Sequence, residues 1–291
     1  MGSALTSFLP YRHWTGESLE PGGCPEDYFM KRSGKPSCAL TPSGSAAISL
    51  LMRHLRLEAT DEVYITTTFE YPNVSSCVTS TIFNYCKPAR ILTKDTRAIL
   101  VIHEFGVMHG RLAELRRLAD LRGIPLIEDC AHTLDSRKDG LLVGTTGDYT
   151  ICSFPKIFPV AYGGALLGPE VNYEPNHLDL RRIDSVRATV SPHLQLMEVY
   201  SEARRRVYRE LTRRLISLNM QPLFETKDEV APWFFPVPTT KWQECVERST
   251  EFGVECALWH GSNVIVLPCH QFLDISDVER INKFMKIMRE C

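Results

Sequence analysis

Short, uninterrupted apolar runs alternate with helix-like segments between residues 45 and 168, and this alternation is the feature that most constrains the fold. Strands covered by helices on both faces read as continuous apolar runs, and parallel neighbours need crossover helices between them. The pattern therefore predicts an α/β fold with a mostly parallel sheet sandwiched by helices. The predicted strands are EVYITT, RAILVIH, IPLIED, DYTICSF and GGALLG, and the predicted helices are SAAISLLMRHLRL, NVSSCVTSTIFNYC and GRLAELRRLADLRG.

The chain divides into three parts by its patterning. Residues 1–37 contain prolines, glycines and single aromatics without a sustained period, which predicts an irregular N-terminal arm. Residues 38–175 carry the alternating pattern and are expected to form a large α/β domain that binds the ligand. A long basic helix, short strands and a terminal helix follow, which predicts a smaller α+β domain over residues 176–291. We interpret the Arg204-Arg205-Arg206 run as the solvated side of the long helix.

The bulk composition excludes several classes of partner. Lys and Arg number 33 against 35 Asp and Glu, so the net charge of -2 offers no long-range attraction to nucleic acid or to an anionic membrane. The 10 cysteines form no CxxC pairs, which is typical of a reduced, cytosolic protein. The sequence shows neither a signal peptide nor an apolar run of membrane-spanning length. We expect a cytoplasmic protein.

Metal-binding motifs are not evident. The HExxH zinc pattern fails because Val107 occupies the fifth position of the motif that begins at His103. Isolated pairs such as Cys256 with His260 are more often packing residues than ligands. No metal is expected.

Four features fall where strands of the predicted sheet end, and ligands of such sheets bind at the carboxyl ends of the strands. Ser43-Gly44-Ser45 opens a helix, and free N–H groups at a helix N-terminus can cradle a phosphate. Asp129 ends a buried strand, where a protonated heterocyclic nitrogen would be a suitable partner. His132 follows three residues later, and Lys156 lies among apolar and small residues, where its amine could form a Schiff base.

The order of these features matches the needs of pyridoxal phosphate (PLP). The cofactor requires an anchor for its phosphate, a carboxylate for its ring nitrogen and an amine for its aldehyde. Asp129 would keep the ring nitrogen protonated so that the ring accepts electrons. Lys156 would hold the aldehyde and later move a proton between the substrate carbon and the cofactor carbon.

These segments resemble the sugar aminotransferases of the DegT/DnrJ/EryC1/StrS family, which are fold type I PLP enzymes. IEDCAHT resembles the family's IEDAAQA/H signature, and CSFPKIFPVAYGGALLG is similar to its SF-x-x-x-K-x(6)-GGA segment. The similarity covers about residues 40–291 and is strongest up to residue 168. It implies a fold type I α/β architecture and a homodimer with active sites at the subunit interface.

By this resemblance, Lys156 is the Schiff-base lysine, Asp129 the partner of the pyridine nitrogen and His132 a neighbour of the cofactor. An aromatic residue after the EVYITT strand would cover the ring, and alignment favours Phe69 over Tyr71.

The same resemblance assigns the phosphate to Ser153 and to the turn at Gly44 and Ser45. Ser153 and Lys156 are only three positions apart, however, where the family usually has five, so the loop between them is shortened. Because of this departure, the family's phosphate contact applies to Ser153 less directly than the other family roles apply to their residues.

The resemblance implies transfer of an amino group from an amino acid, such as glutamate, to a keto sugar that is expected to be nucleotide-linked. One alternative is a PLP enzyme of the same fold with other chemistry, although the family's dehydratases replace the lysine with histidine and Lys156 is retained here. Another alternative is a non-catalytic relative with a binding or regulatory role, which the loop deletions favour.

Overall fold

The computed structural model describes residues 5–16, 19–20, 22–169, 173–227 and 229–290. The helices are α1 (Pro25–Ser33), α2 (Gly44–His54), α3 (Ser76–Phe83), α4 (Leu112–Arg122), α5 (His177–Val190), α6 (Met197–Ser217), α7 (Trp242–Ser249) and α8 (Ile275–Glu290). The strands are β1 (Ser37–Thr41), β2 (Glu62–Thr67), β3 (Lys87–Ala89), β4 (Thr96–Ile102), β5 (Leu126–Asp129), β6 (Arg137–Lys138), β7 (Leu141–Leu142), β8 (Tyr149–Ser153), β9 (Gly164–Gly168), β10 (Phe234–Pro238), β11 (Ala257–Leu258) and β12 (Val264–Pro268).

The central sheet confirms the predicted α/β class. Its seven strands follow the order β1-β9-β8-β5-β4-β2-β3. Strands β3, β2, β4, β5 and β8 run parallel to one another, whereas β9 runs antiparallel to β8 and β1. Asp129 pairs with Ile102 of β4 and with Ile151 of β8, so the carboxyl ends of three parallel strands meet at one edge.

Helices cover both faces of this sheet. In β4, Ile99 and Val101 face a core shared with α1, α4 and α5, whereas Ala98, Leu100 and Ile102 face a core shared with α2 and α3. All five side chains are buried. Burial on both faces explains why the strand reads as a continuous apolar run.

The segment predicted as an irregular arm contains helix α1. Pro25 occupies the first turn, acidic residues follow it, basic residues stand in the last turn, and Gly34 ends the helix with a φ of 70°. These are ordinary signals of helix start and stop. Residues 1–4, 17–18 and 21 of the predicted arm lie outside the described residues.

Helix α5 begins the part of the chain predicted as the smaller domain, yet it packs on the large sheet. Its buried residues Ile183, Val186 and Val190 belong to the same core as Phe154 of the segment after β8. The predicted boundary at residue 175 remains a prediction, and α5 lies on the sheet side of the molecule.

The remaining C-terminal elements, α6 to α8 with β10 to β12, form a second core. Strands β10, β12 and β11 make a three-stranded sheet in that order. A smaller aromatic cluster joins this C-terminal unit to the large sheet. We call it the junction cluster, and it consists of Phe105, Trp233, Phe234 and Trp259. None of the helices that the structure describes is both long and apolar enough to cross a membrane.

The interpretation of Arg204 as a solvated residue is wrong. Its side chain is 2% exposed, whereas Arg206 faces solvent. Arg204 stands four residues from each of the buried Tyr200 and Tyr208, so it lies on the inward stripe of α6.

Candidate active site

The carboxyl edge of the sheet opens into a cavity of about 360 Å³ beside the C-terminal unit. The sheet contributes polar groups, and the C-terminal unit contributes aromatic rings. The sequence-predicted residues that line the cavity are Gly44, Ser45, Asp129, His132, Ser153 and Lys156.

The turn after β1 brings the N-terminus of α2 to the cavity. Ser43 caps this helix, because its Oγ accepts a hydrogen bond of 3.1 Å from the N–H of Ala46. The first N–H groups of a helix have no partner within the helix and favour an anion. A Cβ added at Gly44 would lie 3.1 Å from Cβ of Ser153, so glycine keeps this corner open. The arrangement fits a phosphate group.

Strand β9 packs directly under the same turn. A Cβ at Gly164 would lie 2.6 Å from the carbonyl oxygen of Cys152 and 2.7 Å from the backbone nitrogen of Gly44. Only glycine permits this approach without displacing the backbone. The second glycine of the predicted Gly-Gly pair therefore holds the turn and β8 together.

Asp129 ends β5 in the middle of the sheet and is buried. Its Oδ1 accepts a hydrogen bond of 2.9 Å from the N–H of Ala131, and among the described residues its other oxygen has no hydrogen-bond partner. Burial raises the pKa of this carboxyl, while the nearby Lys156 acts in the opposite direction. A buried carboxylate with one free oxygen suits a cationic N–H partner.

Lys156 ends a short 3₁₀ helix, Phe154–Lys156, directly after β8. Its Nζ lies 4.7 Å from the centroid of the Trp233 ring, within the range of a cation–π contact. Exclusion of water by the cavity walls lowers the pKa of this amine, and Asp129 partly offsets the effect. A lowered pKa increases the fraction of neutral, nucleophilic amine.

His132 is buried beside Asp129. Its Nδ1 accepts a hydrogen bond of 3.1 Å from the N–H of Phe105, so the neutral ring carries its hydrogen on Nε2. Burial holds its pKa well below the usual range. The side chain therefore acts as a neutral hydrogen-bond donor rather than as a cation.

The C-terminal unit supplies the aromatic side of the cavity. The ring of Trp233 lies 4.6 Å from that of His132, and its buried Nε1 has no hydrogen-bond partner among the described residues. Trp259 donates from Nε1 to Oε1 of Glu104 at 3.0 Å. Sequence reasoning did not identify these residues, because nothing local marks a distant tryptophan as part of a site. The cavity residues from this unit are Trp233, Phe234, Trp259 and His260.

Phe69 and Tyr71 are not among the residues that line the cavity. The Phe69 ring packs against the junction cluster, 5.5 Å from Phe105 and 5.8 Å from Phe224. Its backbone N–H donates to Oε2 of Glu104 at 2.9 Å. The expectation that Phe69 covers the cofactor ring is therefore not supported by its position, which is fixed by contacts with other aromatics.

A buried group of His103, Glu128 and Cys130 has the composition of a metal site, but hydrogen bonds account for it. Nε2 of His103 contacts Oε2 of Glu128 at 2.9 Å, and Nδ1 of His103 accepts the N–H of His109. The Glu128 carboxylate also accepts three backbone N–H groups, those of Gly144, Thr146 and Gly147. This network fixes the loop between β5 and β8.

The sequence profile of the DegT/DnrJ/EryC1/StrS aminotransferase family matches residues 26–189. The L-glutamine:2-deoxy-scyllo-inosose aminotransferase of Streptomyces paromomycinus is 28% identical over 182 residues, which cover 55% of this chain and 40% of that protein. The dTDP-3-amino-3,4,6-trideoxy-alpha-D-glucose transaminase of Micromonospora megalomicea subsp. nigra is 44% identical over 73 residues, 25% of this chain and 19% of that protein. The chain thus spans 40% or less of the length of these two relatives.

Solved structures share the fold over nearly the whole chain. The aminotransferase TlmJ from Streptoalloteichus hindustanus has a TM-score of 0.75 at 19% identity, covering 93% of this chain and 92% of that one. Helicobacter pylori PseC has a TM-score of 0.75 at 16% identity, covering 94% and 93%. Spr1654 from Streptococcus pneumoniae, solved in a PLP form, has a TM-score of 0.72 at 14% identity, covering 94% and 93%.

Proposed function

The chain belongs to the DegT/DnrJ/EryC1/StrS aminotransferase family, and on this premise we propose that it is a PLP-dependent aminotransferase acting on a keto sugar. The amino donor is an amino acid such as glutamate, and the acceptor is a nucleotide-linked keto sugar. The observation that carries the proposal is the meeting of Lys156, Asp129 and the α2 N-terminus in one cavity.

The described residues fit PLP by the chemistry of their donors and acceptors. The open corner at Gly44 and the unpaired N–H groups of α2 suit the phosphate. The free oxygen of Asp129 suits a protonated ring nitrogen, and the amine of Lys156 suits an aldehyde. When bound, PLP supplies an aldehyde that links amines covalently and a ring that takes up electrons.

The protein's own groups have distinct roles in this proposal. Asp129 would hold a proton on the ring nitrogen through its free oxygen, and the hydrogen bond from the N–H of Ala131 to Oδ1 fixes that carboxylate in place. Lys156 would hold the aldehyde of the cofactor, and its amine, when free, would move the proton of the substrate carbon. His132 donates from Nε2, because Phe105 occupies its Nδ1. Trp233 and Trp259 limit the access of water to the same cavity.

The names of the relatives support the substrate class. One is an L-glutamine:2-deoxy-scyllo-inosose aminotransferase, and the other acts in dTDP-amino sugar chemistry. Both names describe amino transfer involving a six-membered ring that carries oxygen substituents. We therefore place a keto sugar, or a cyclic ketone of similar shape, first among acceptors to be tested.

Reconstitution of the purified chain with PLP tests the proposal. We expect a yellow protein whose colour is bleached by a suitable amino donor and restored by a keto sugar. Lys156→Ala should abolish the colour and lower amino transfer to background, whereas Lys138→Ala, a change at an exposed lysine, should alter neither. A wild-type chain that stays colourless with excess PLP, or a colour that no donor bleaches, would overturn the proposal.

A homodimer with active sites at the interface and a cytoplasmic location also remain predictions. Sedimentation of the purified chain at several concentrations measures the first, and a mass of one chain at all concentrations would contradict it.

A further inference from the structure

Arg204 is buried on α6, and its guanidinium points at the backbone of the reactive lysine. Nη2 donates to the carbonyl oxygen of Lys156 at 2.9 Å and to that of Ile157 at 3.3 Å. Nε donates to Oε1 of Gln271 at 2.8 Å. Arg204 therefore contacts the main chain at the position that carries the proposed cofactor link.

Gln271 completes this arrangement from the loop that follows β12. Its Nε2 donates to the carbonyl oxygen of Ile157 at 2.7 Å. Two side chains of the C-terminal unit thus hold two successive carbonyls, and they also bind each other. We call Arg204 and Gln271 the carbonyl clamp.

The clamp contains a cation with no acidic partner. Among the described residues, no Asp or Glu oxygen forms an ion pair with Arg204. Burial lowers its pKa to about 10, so it stays charged near neutral pH. Burying a charge without a counter-ion is costly, and helix packing alone would be served as well by an apolar side chain. Its hydrogen bonds to carbonyl oxygens are the compensating interaction that the structure provides.

The short loop before Lys156 explains why external support is useful there. Only two residues separate the end of β8 at Ser153 from Lys156, and one of them is Pro155. The single 3₁₀ turn ends at Lys156, so no following turn of helix supplies N–H donors to its last carbonyls. The clamp supplies donors to these carbonyls from outside the segment.

We propose that Arg204 and Gln271 are positioning residues that fix the backbone of Lys156 and thereby couple the C-terminal unit to the reactive amine. The catalytic importance of these two residues rests on the proposed function. The mechanical part of the proposal, which is that they hold the backbone of Lys156 in place, concerns the chain alone. Any movement of α6 relative to the sheet would shift the Lys156 backbone, because the clamp joins the two directly.

Hydrogen exchange of the chain without cofactor tests the mechanical part. The N–H groups of Ile157 and Phe158 both donate to the carbonyl of Phe154. In Arg204→Met, exchange of peptides spanning residues 153–160 should accelerate about 10- to 30-fold, because two or three supporting hydrogen bonds are lost. Peptides spanning β5 should exchange at the wild-type rate.

The second measurement is the rate at which Lys156 forms its covalent link with added PLP, trapped by borohydride and followed against pH. Arg204→Met should slow the reaction about 10-fold or more, because a small displacement of a reacting group lowers the reaction rate strongly. The pH midpoint should rise as the loosened segment gains water. The titratable groups that interact with the amine are Asp129, Cys77, His132 and His260, and all are unchanged in this variant.

Matched variants separate positioning from general stability. Arg206→Met removes a nearby arginine that faces solvent, and this variant should match the wild type in both measurements. Gln271→Leu removes one carbonyl contact and should give a smaller effect of the same kind. Arg204→Lys keeps the charge with fewer donors and should recover part of the loss.

Two results would overturn the clamp. One is wild-type exchange at residues 153–160 in both Arg204→Met and Gln271→Leu. The other is acceleration spread evenly over the whole protein, which would make Arg204 a packing residue only. A wild-type chain that fails to react with PLP would instead refute the proposed function, while the exchange experiment would still decide the clamp.

Discussion

The two sides of the cavity are built in different ways. The sheet side consists of Gly44, Asp129 and Lys156 with their neighbours: Gly44 begins α2, Asp129 ends β5, and Lys156 ends the short 3₁₀ helix that follows β8. The C-terminal side consists of Trp233 and Trp259 with their neighbours, and its contacts to the sheet run mainly through side chains. Backbone hydrogen bonds of the sheet locate Asp129, and Lys156 follows a strand of that sheet by three residues, whereas packing and single hydrogen bonds locate the aromatic side.

This difference determines how each side should respond to mutation. A strand-end residue is held by a ladder of backbone bonds that no single side chain controls. A side-chain contact such as Trp259 to Glu104 can be removed by one substitution. Substitutions on the sheet side should therefore abolish amino transfer, and substitutions on the C-terminal side should change its kinetic constants more modestly.

Asp129→Asn, on the sheet side, should have the largest effect. Asparagine keeps the shape but loses the negative charge that holds a proton on the ring nitrogen, so kcat should fall about 100- to 1000-fold. Steady-state kinetics at saturating donor measure the loss. Asp139→Asn, in the exposed turn between β6 and β7, is the matched control and should retain wild-type kcat. Equal activity of both variants would remove Asp129 from the chemistry.

Gly164→Ala should disrupt the packing of β9 against β8 and against the turn before α2. The new Cβ would lie within 2.7 Å of the backbone of Cys152 and Gly44, so the turn and β9 must separate. We expect a loss of about 1–3 kcal/mol in the free energy of unfolding and weaker phosphate binding. Urea unfolding and PLP titration measure both effects. Gly110→Ala meets no atom within 4 Å and serves as the control.

His270, next to the clamp, should make stability sensitive to acid. Burial lowers its pKa to about 3, and its Nε2 contacts the carbonyl of Ser7 at 3.0 Å. The unfolded chain takes up this proton below about pH 6.5 while the folded chain does not, so stability is complete above that pH and declines below it. Between pH 6.5 and 5 the decline should be about 1–2 kcal/mol. His270→Gln should lessen the total decline by this amount, because His132 and His109, whose pKa values burial also lowers, keep their own contributions. An unchanged slope would exclude His270 as a contributor.

Trp233→Phe should give the smallest effect. The smaller phenyl ring keeps an aromatic face, but the indole N–H, which has no partner among the described residues, is removed. We expect a change of about 10-fold or less in KM for the keto substrate with little change in kcat. Trp242→Phe, on α7 away from the cavity, is the control. A large fall in kcat would show that the C-terminal side takes part in the chemistry itself.

Local signals explain which parts of the fold the sequence predicted. The apolar runs indicated β2, β4, β5, β8 and β9, because a strand buried on both faces needs apolar side chains throughout. Helix α1 was missed although Pro25 and Gly34 mark its ends, since the surrounding prolines and glycines favoured an irregular segment. Arg204 was assigned to solvent because the next two residues, Arg205 and Arg206, are also basic, yet the spacing to Tyr208 places it on the buried stripe.

The sequence alone determined the sheet side of the cavity, including Asp129 and Lys156, because strand ends and helix starts are encoded by a few adjacent residues. Only the tertiary structure decided the aromatic side and the carbonyl clamp. Arg204 and Gln271 stand 48 and 114 positions from the carbonyls they bind. Contacts over such separations depend on how two cores pack together, and no local pattern of residue types specifies that packing.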